Sequence, residues 1–173
     1  MKIESTMKAA VMACCASLAL TATLALAENS AAEPANRKAP PASTTVLLPN
    51  ETKVLRVNGF DMPMIDQGSG PLLILVHGSL SDSRTWADVY PALAKEFRVV
   101  VPSLRYFGKS PWSAHWPQYS NDLLSDDLAA LIRALKSGPA HIVGWSNGAR
   151  VVHKTALAHP ELVRSAFLYE GVA

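Results

Sequence analysis

The chain has 173 residues, of which 49% are hydrophobic and 17% charged, and its formal net charge is +2. These proportions are typical of a folded globular domain and exclude a disordered, fibrous or polytopic membrane protein. The 16 basic residues form no stripe along the chain, so nucleic acid is not an expected partner.

The first 27 residues have the pattern of an export signal. Lys2 and Lys8 precede an apolar, alanine-rich run that ends in Ala25-Leu26-Ala27, directly before Glu28. A basic start, a short apolar middle and small residues before the cleavage point are what signal peptidase reads. An uncleaved membrane anchor is the alternative, although the run is only marginally long for ~30 Å of hydrocarbon. We therefore predict a signal peptide over residues 1–27, a periplasmic or secreted protein, and no stable membrane association after cleavage.

Residues 28–49 are rich in Ala, Pro, Ser, Thr and Asn and have neither a helical nor a strand period, which predicts a flexible linker. A folded domain is expected over residues 50–173. Both cysteines, Cys14 and Cys15, lie in the signal segment. Cleavage would therefore leave a chain that cannot form a disulfide, a thiolate metal site or a cysteine nucleophile.

From residue 53 onward, apolar runs of strand length alternate with amphipathic stretches. Strands are predicted at 54–57, 62–66, 72–76, 98–101, 141–143 and 165–169, and helices at 83–95, about 121–136 and 147–158. Pro91 is expected to kink or interrupt the first helix, Ser120 or Asn121 to cap the second, and Gly138 to end it. This alternation predicts an α/β fold in which a mostly parallel sheet carries helices on both faces.

The segment Gly144-Trp145-Ser146-Asn147-Gly148 fits the pattern G-x-S-x-G between an apolar strand and a helix. A strand that runs straight into a helix makes a sharp corner, where the central residue has an unfavourable backbone and the flanking positions need glycine. The serine oxygen then lies near the helix N-terminus, whose free N–H groups favour developing negative charge. Ser146 is therefore the candidate nucleophile, and a serine in an ordinary glycine-rich turn is the alternative.

A second motif, His77-Gly78-Ser79, directly follows the strand predicted at 72–76. Together with the serine turn it resembles the α/β-hydrolase family, and the resemblance extends from about Val57 to the end of the chain. It implies the α/β-hydrolase fold and an oxyanion hole made by the backbone N–H groups of Ser79 and Asn147, each worth about 3–4 kcal/mol in the transition state. It also implies a structural role for His77 and no metal or organic cofactor.

Residues 102–110 are similar to the family's P-D-x-R-G-x-G-x-S loop. They depart from it at Ser103 and Tyr106, where Asp and Gly are usual. In the family these two positions shape a turn and do no chemistry. The departure is therefore expected to affect specificity more than mechanism.

Glu170 is the one carboxylate expected at the active edge of the sheet, because it directly follows the last predicted strand. Most family members place the acid of the catalytic triad one strand later. A subset, including many haloalkane dehalogenases, places a glutamate at this point, but those enzymes use an aspartate nucleophile. Glu170 is thus a candidate triad acid, with a loop-orienting role as the alternative.

The histidines near Ser146 in sequence do not qualify as its base. His153 lies about 10 Å along the predicted helix from the serine, and His159 lies farther away. His141 begins a buried strand, and His115 lies in an aromatic loop.

In the family the triad runs Ser, then Asp or Glu, then His, and the fold takes about 200–250 residues. We therefore expect this chain to be an N-terminal fragment, inactive by itself, whose base, cap region and two further strands lie beyond Ala173.

These residues predict a hydrolase that cleaves a small ester or related acyl substrate through an acyl-enzyme on Ser146. The alternatives are a cofactor-free perhydrolase or haloperoxidase-like enzyme, a carbon–carbon bond hydrolase, and a non-catalytic binding protein of the same fold. The expected partner is a small-molecule substrate.

Overall fold

The computed structural model describes residues 47–109 and 119–171. The expected signal peptide, residues 28–46 of the expected linker and His115 lie outside these ranges. Leu48 is buried and its N–H donates to the Glu51 carboxylate, so the folded part includes a residue that was assigned to the linker. Within the described ranges, no helix has the length and apolar character needed to cross a bilayer.

Six strands form one sheet in the order β1-β2-β4-β3-β5-β6. Strands β4, β3, β5 and β6 are parallel, while β2 pairs antiparallel with both β1 and β4. The prediction of a mostly parallel sheet is therefore confirmed. The strands are β1 Lys53–Val57, β2 Phe60–Gln67, β3 Leu72–Val76, β4 Arg98–Pro102, β5 Ala140–Trp145 and β6 Val163–Tyr169.

The helices are α1 Tyr90–Leu93, α2 Asn121–Leu135 and α3 Asn147–Ala158, with 3-10 turns at Ser83–Trp86 and Pro160–Leu162. The helix predicted over 83–95 is interrupted near Pro91 as expected, but it is less helical than predicted, since this stretch is a 3-10 turn followed by the short α1. Pro91 lies in the first turn of α1, where its missing N–H costs nothing, and it cannot serve as an interior residue of one longer helix.

Helix α2 is capped as predicted at its start, because the Ser120 side chain accepts the N–H of Leu123 at 3.1 Å. Its end differs from the prediction. The helix stops at Leu135, and Lys136 takes the left-handed conformation with φ 51°. Gly138 therefore lies in the following loop and does not form the cap.

The two longer helices cover one face of the sheet. All five residues of β3 are buried, and alternate ones, such as Ile74 and Val76, pack with Leu128 of α2 and Val152 of α3. The intervening residues point to the opposite face, where the short α1 contacts β4. In open α/β sheets, ligands generally bind at the edge formed by the carboxyl ends of the parallel strands, so the site is expected there.

Candidate active site

Ser146 stands at the corner between β5 and α3 with φ 54° and ψ −120°. A positive φ of this kind is rare for a residue with a side chain and costs about 1–3 kcal/mol. The N–H of Ser146 donates to the carbonyl of Tyr169 in β6 at 2.9 Å, and its carbonyl accepts the N–H of Ala149 at 3.0 Å. The strained corner predicted from the sequence is present and is tied to the strand on one side and the helix on the other.

The two glycines that flank the corner have no space for a side chain. A Cβ on Gly144 would lie 2.6 Å from the carbonyl oxygen of Gly148. A Cβ on Gly148 would lie 2.5 Å from the carbonyl oxygens of both Val76 and His77. The spacing of the motif thus has a steric cause, since β3, the corner and α3 meet backbone to backbone.

The candidate oxyanion donors adjoin the serine on two sides. Gly78 packs against it so closely that a Cβ there would lie 3.1 Å from the Cβ of Ser146, and the exposed Ser79 follows directly. Asn147 is the first residue of α3, and the N–H groups of a first helical turn have no acceptor within the helix. The assignment of the backbone N–H groups of Ser79 and Asn147 to the oxyanion hole stays a prediction.

His77 is buried and holds its loop by two hydrogen bonds. Its Nε2 accepts the N–H of Leu104 at 3.0 Å, and its Nδ1 lies 2.8 Å from the carbonyl oxygen of Gly78. Because an amide can only donate, Nε2 must be unprotonated and Nδ1 must carry the hydrogen. Burial lowers the pKa of His77 and keeps the ring neutral. The structural role expected for this residue is confirmed.

The other described histidines are also placed as expected. His141 is hydrogen-bonded through Nδ1 to the Ser165 hydroxyl at 2.7 Å. His153 is exposed on α3, and His159 forms the C-cap of the same helix. By helical rise, His153 lies about 9 Å beyond the start of α3. The described part of the chain therefore places none of these three imidazoles on Ser146.

Glu170 lies beside the nucleophile, at the end of β6, and has φ 51°. Its Oε2 accepts the indole N–H of Trp145 at 2.9 Å, and Trp145 immediately precedes Ser146. Gly171 then passes so close to α3 that a Cβ there would lie 2.6 Å from the Cβ of Ala149. The bond to Trp145 supports a loop-orienting role for Glu170, and its role as triad acid stays a prediction.

A cavity of about 400 Å³ opens beside Ser79. Its wall includes the aromatic rings of Tyr106, Phe107 and Tyr119. The hydroxyl of Tyr119 accepts a hydrogen bond from the Asn147 side chain at 3.1 Å, so the wall is linked to the residue after the nucleophile. Within the described ranges, no group of three or more His, Cys, Asp or Glu side chains is arranged to hold a metal ion.

The family model described as alpha/beta hydrolase fold matches residues 71–171, which is more than half of the chain. The chain belongs to the α/β-hydrolases.

Several individual relatives of this α/β-hydrolase are known. Fluoroacetate dehalogenase of Burkholderia sp. is 35% identical over 118 residues, which cover 66% of this chain and 39% of that protein. Pimeloyl-[acyl-carrier protein] methyl ester esterase of Aeromonas hydrophila is 37% identical over 98 residues, covering 57% and 37%. The structure of the meta-cleavage product hydrolase CumD from Pseudomonas fluorescens IP01 matches with a TM-score of 0.67 and 31% identity, over 72% of this chain and 46% of that one. The chain thus spans about two fifths of the length of these curated relatives.

Glu51 is a residue that the sequence analysis missed, and it contacts the serine at position 103 of this α/β-hydrolase. Glu51 is buried, and its Oε1 accepts the hydroxyls of Ser83 and Ser103 while Oε2 accepts the N–H of Leu48. A buried carboxylate from before β1 therefore lies against position 103, where the family usually has an aspartate. Since Glu51 and Ser103 are 52 residues apart, no local pattern could have revealed their contact.

Proposed function

We propose that this α/β-hydrolase cleaves a small ester or related acyl substrate by acyl transfer to Ser146. The observation that carries the proposal is a serine at a strained corner directly before a helix N-terminus. A serine oxygen in this position can attack a carbonyl carbon while the N–H groups of Ser79 and Asn147 receive the oxyanion. Collapse of the oxyanion breaks the C–O bond of the ester and releases the alcohol, which takes up a proton. Water then hydrolyses the acyl-enzyme, releases the acid and restores the hydroxyl, and these steps need no metal or organic cofactor.

The type of nucleophile, a serine hydroxyl and not a carboxylate, argues against the reaction named for the dehalogenase relative. Displacement of a halide requires attack on a saturated carbon. A serine oxygen would form an ether there, which has no carbonyl for water to attack, whereas a carboxylate nucleophile forms an ester that water can hydrolyse. Ser146 therefore favours an acyl substrate despite the similarity to a dehalogenase.

The proposal also requires a base that removes the proton of Ser146. Three of the described histidines are bound elsewhere, His77, His141 and His159, and His153 lies too far along α3. We propose that the base is a histidine of the whole protein outside the described residues, and that the acid is an aspartate or Glu170.

A carbon–carbon bond hydrolase is the second candidate. It is favoured by the structural similarity to a meta-cleavage product hydrolase, with a TM-score of 0.67. The same serine turn would serve it, so the two functions differ in substrate. Loss of the visible absorbance of a ring-cleavage product, with no turnover of simple esters, would identify this second function.

Labelling of the natural full-length protein with a fluorophosphonate probe tests the nucleophile. We expect one labelled site, lost in Ser146→Ala and kept in the control Ser137→Ala, because Ser137 is exposed at the end of α2. A non-catalytic binding protein of this fold would not be labelled. Labelling that survives Ser146→Ala would contradict the assignment.

We further propose that the protein is exported and cleaved before Glu28. The basic and apolar N-terminal pattern supports this proposal. Expression with the natural N-terminus in a Gram-negative host should yield a periplasmic product that begins at Glu28, as read by mass spectrometry. An intact Met1 terminus in the membrane fraction would instead indicate an anchor.

A further inference from the structure

We propose that the cavity beside Ser79 binds a flat, uncharged ring of the substrate and that Tyr106 is the residue that selects it. The inference rests on the proposed function, because it assigns a substrate class to the cavity next to Ser146.

The wall of the cavity is built from rings in mutual contact. Tyr119 meets Tyr106 edge to face at 6.0 Å between centroids and Phe107 at 6.2 Å. Phe107 in turn meets the buried His77 at 5.1 Å. Each ring is thus fixed by a neighbour, and fixed ring faces and edges favour a flat ring as their partner over a puckered one.

Tyr106 lies in this wall although its backbone has a positive φ, which is unfavourable for a residue with a side chain. Its φ is 72°, a value suited to glycine, which is the residue usual at this position of the family's loop. The side chain is nonetheless buried, with 6% of its surface exposed. Unfavourable backbone conformations of this kind cluster at ligand sites, and here the unfavourable residue supplies a ring to the cavity.

The two charged side chains among the described lining residues neutralise each other. Arg84 is the one cation among the described residues that line the cavity. Its Nε and Nη2 donate to the two carboxylate oxygens of Asp82, at 2.9 and 2.8 Å, and Asp82 is the one anion among the described lining residues. This two-point pair leaves no net charge on the described lining, so an anionic group would meet no uncompensated positive charge there. The ligand class is therefore an uncharged ring.

Steady-state hydrolysis by the full-length protein tests the inference with matched esters. Methyl phenylacetate is compared with methyl cyclohexylacetate and with methyl 4-carboxyphenylacetate, and benzyl acetate with cyclohexylmethyl acetate. We expect kcat/KM to favour the flat ring over the puckered ring about tenfold in one of the two series, and the carboxylate to be the poorest ester of its series.

Variants at position 106 assign the selectivity. Tyr106→Gly should abolish the flat-ring preference, whereas the matched control Tyr106→Phe should keep the ratio because it keeps the ring. Tyr106→Asn is made in parallel, since asparagine tolerates a positive φ and provides a folded test should the glycine variant fail to fold. Equal rates for flat and puckered rings in both series, or a preference that survives the loss of Tyr106, would overturn the inference.

A binding measurement separates this inference from the proposed function. Calorimetric titration with phenylacetamide and cyclohexylacetamide requires no turnover. If esters are hydrolysed in a Ser146-dependent way without any ring preference, the inference fails and the proposed function stands. If no ester is hydrolysed but phenylacetamide binds at least tenfold more tightly and loses this preference in Tyr106→Gly, the proposed function fails and the cavity assignment stands.

Discussion

Gly148 lies where β3, the serine corner and α3 meet, and there is no space for a side chain at this position. In Gly148→Val the new Cβ would stand 2.5 Å from two backbone carbonyl oxygens, those of Val76 and His77. We expect the free energy of unfolding to fall by about 3 kcal/mol or more, with loss of fluorophosphonate labelling. Urea denaturation followed by circular dichroism measures the first effect.

The matched control is Gly138→Asn. No atom lies within 4 Å of a Cβ at Gly138, although its φ is 75°, and asparagine tolerates that conformation. The control should therefore stay within about 0.5 kcal/mol of the parent. A Gly148→Val protein as stable and as readily labelled as the control would show that the turn is not a catalytic elbow.

The pairing of Glu51 with Ser103 yields a second prediction for single residues. Ser103→Asp restores the residue usual in the family but places a second carboxylate against a buried one. We expect a loss of about 3 kcal/mol in the free energy of unfolding, and the exposed control Ser69→Asp should be nearly neutral.

The double variant Glu51→Gln with Ser103→Asp tests whether repulsion by the Glu51 carboxylate causes the destabilisation by Ser103→Asp. Removing the charge of Glu51 should make Ser103→Asp at least 1 kcal/mol less harmful than it is in the parent, as measured by a double-mutant cycle. If the two substitutions are additive, the carboxylate of Glu51 is not the reason for the serine.

Among the elements, those whose signal is local were predicted correctly. The continuous apolar run of β3, the capping Ser120 and the glycine-flanked serine each depend on neighbours in sequence, and the structure has them as expected. The helix predicted over 83–95 is interrupted, as Pro91 indicated, but its two parts are shorter than the apolar spacing suggested.

Features that join distant elements could not be predicted. The position of β2 beside β4 in the sheet follows from packing and not from any short pattern. The site shows the same division. The serine corner was evident from five consecutive residues, whereas contacts between distant residues were not. The ring contact between Tyr106 and Tyr119 and the carboxylate of Glu51 under the loop became visible only in three dimensions.

For the whole molecule, we expect the 173-residue chain alone to lack ordinary esterase turnover, because no described histidine is placed to activate Ser146. Oxyanion donors without a base can leave about a 10³–10⁴-fold acceleration over water. Hydrolysis of p-nitrophenyl acetate by the folded chain, with Ser146→Ala as the blank, measures this residual activity. Ordinary enzyme rates that vanish in His153→Ala or His159→Ala would show that one of these histidines is the base.

The hydrogen bond from the N–H of Ser146 to the carbonyl of Tyr169 couples the serine to β6. Local opening of β6 would break this hydrogen bond. Each opening frees the amide of Ser146 to exchange its hydrogen with solvent. The exchange rate of this single amide therefore reports how often the nucleophile loses its alignment, and a ligand or segment that holds β6 closed would tune reactivity without touching the serine.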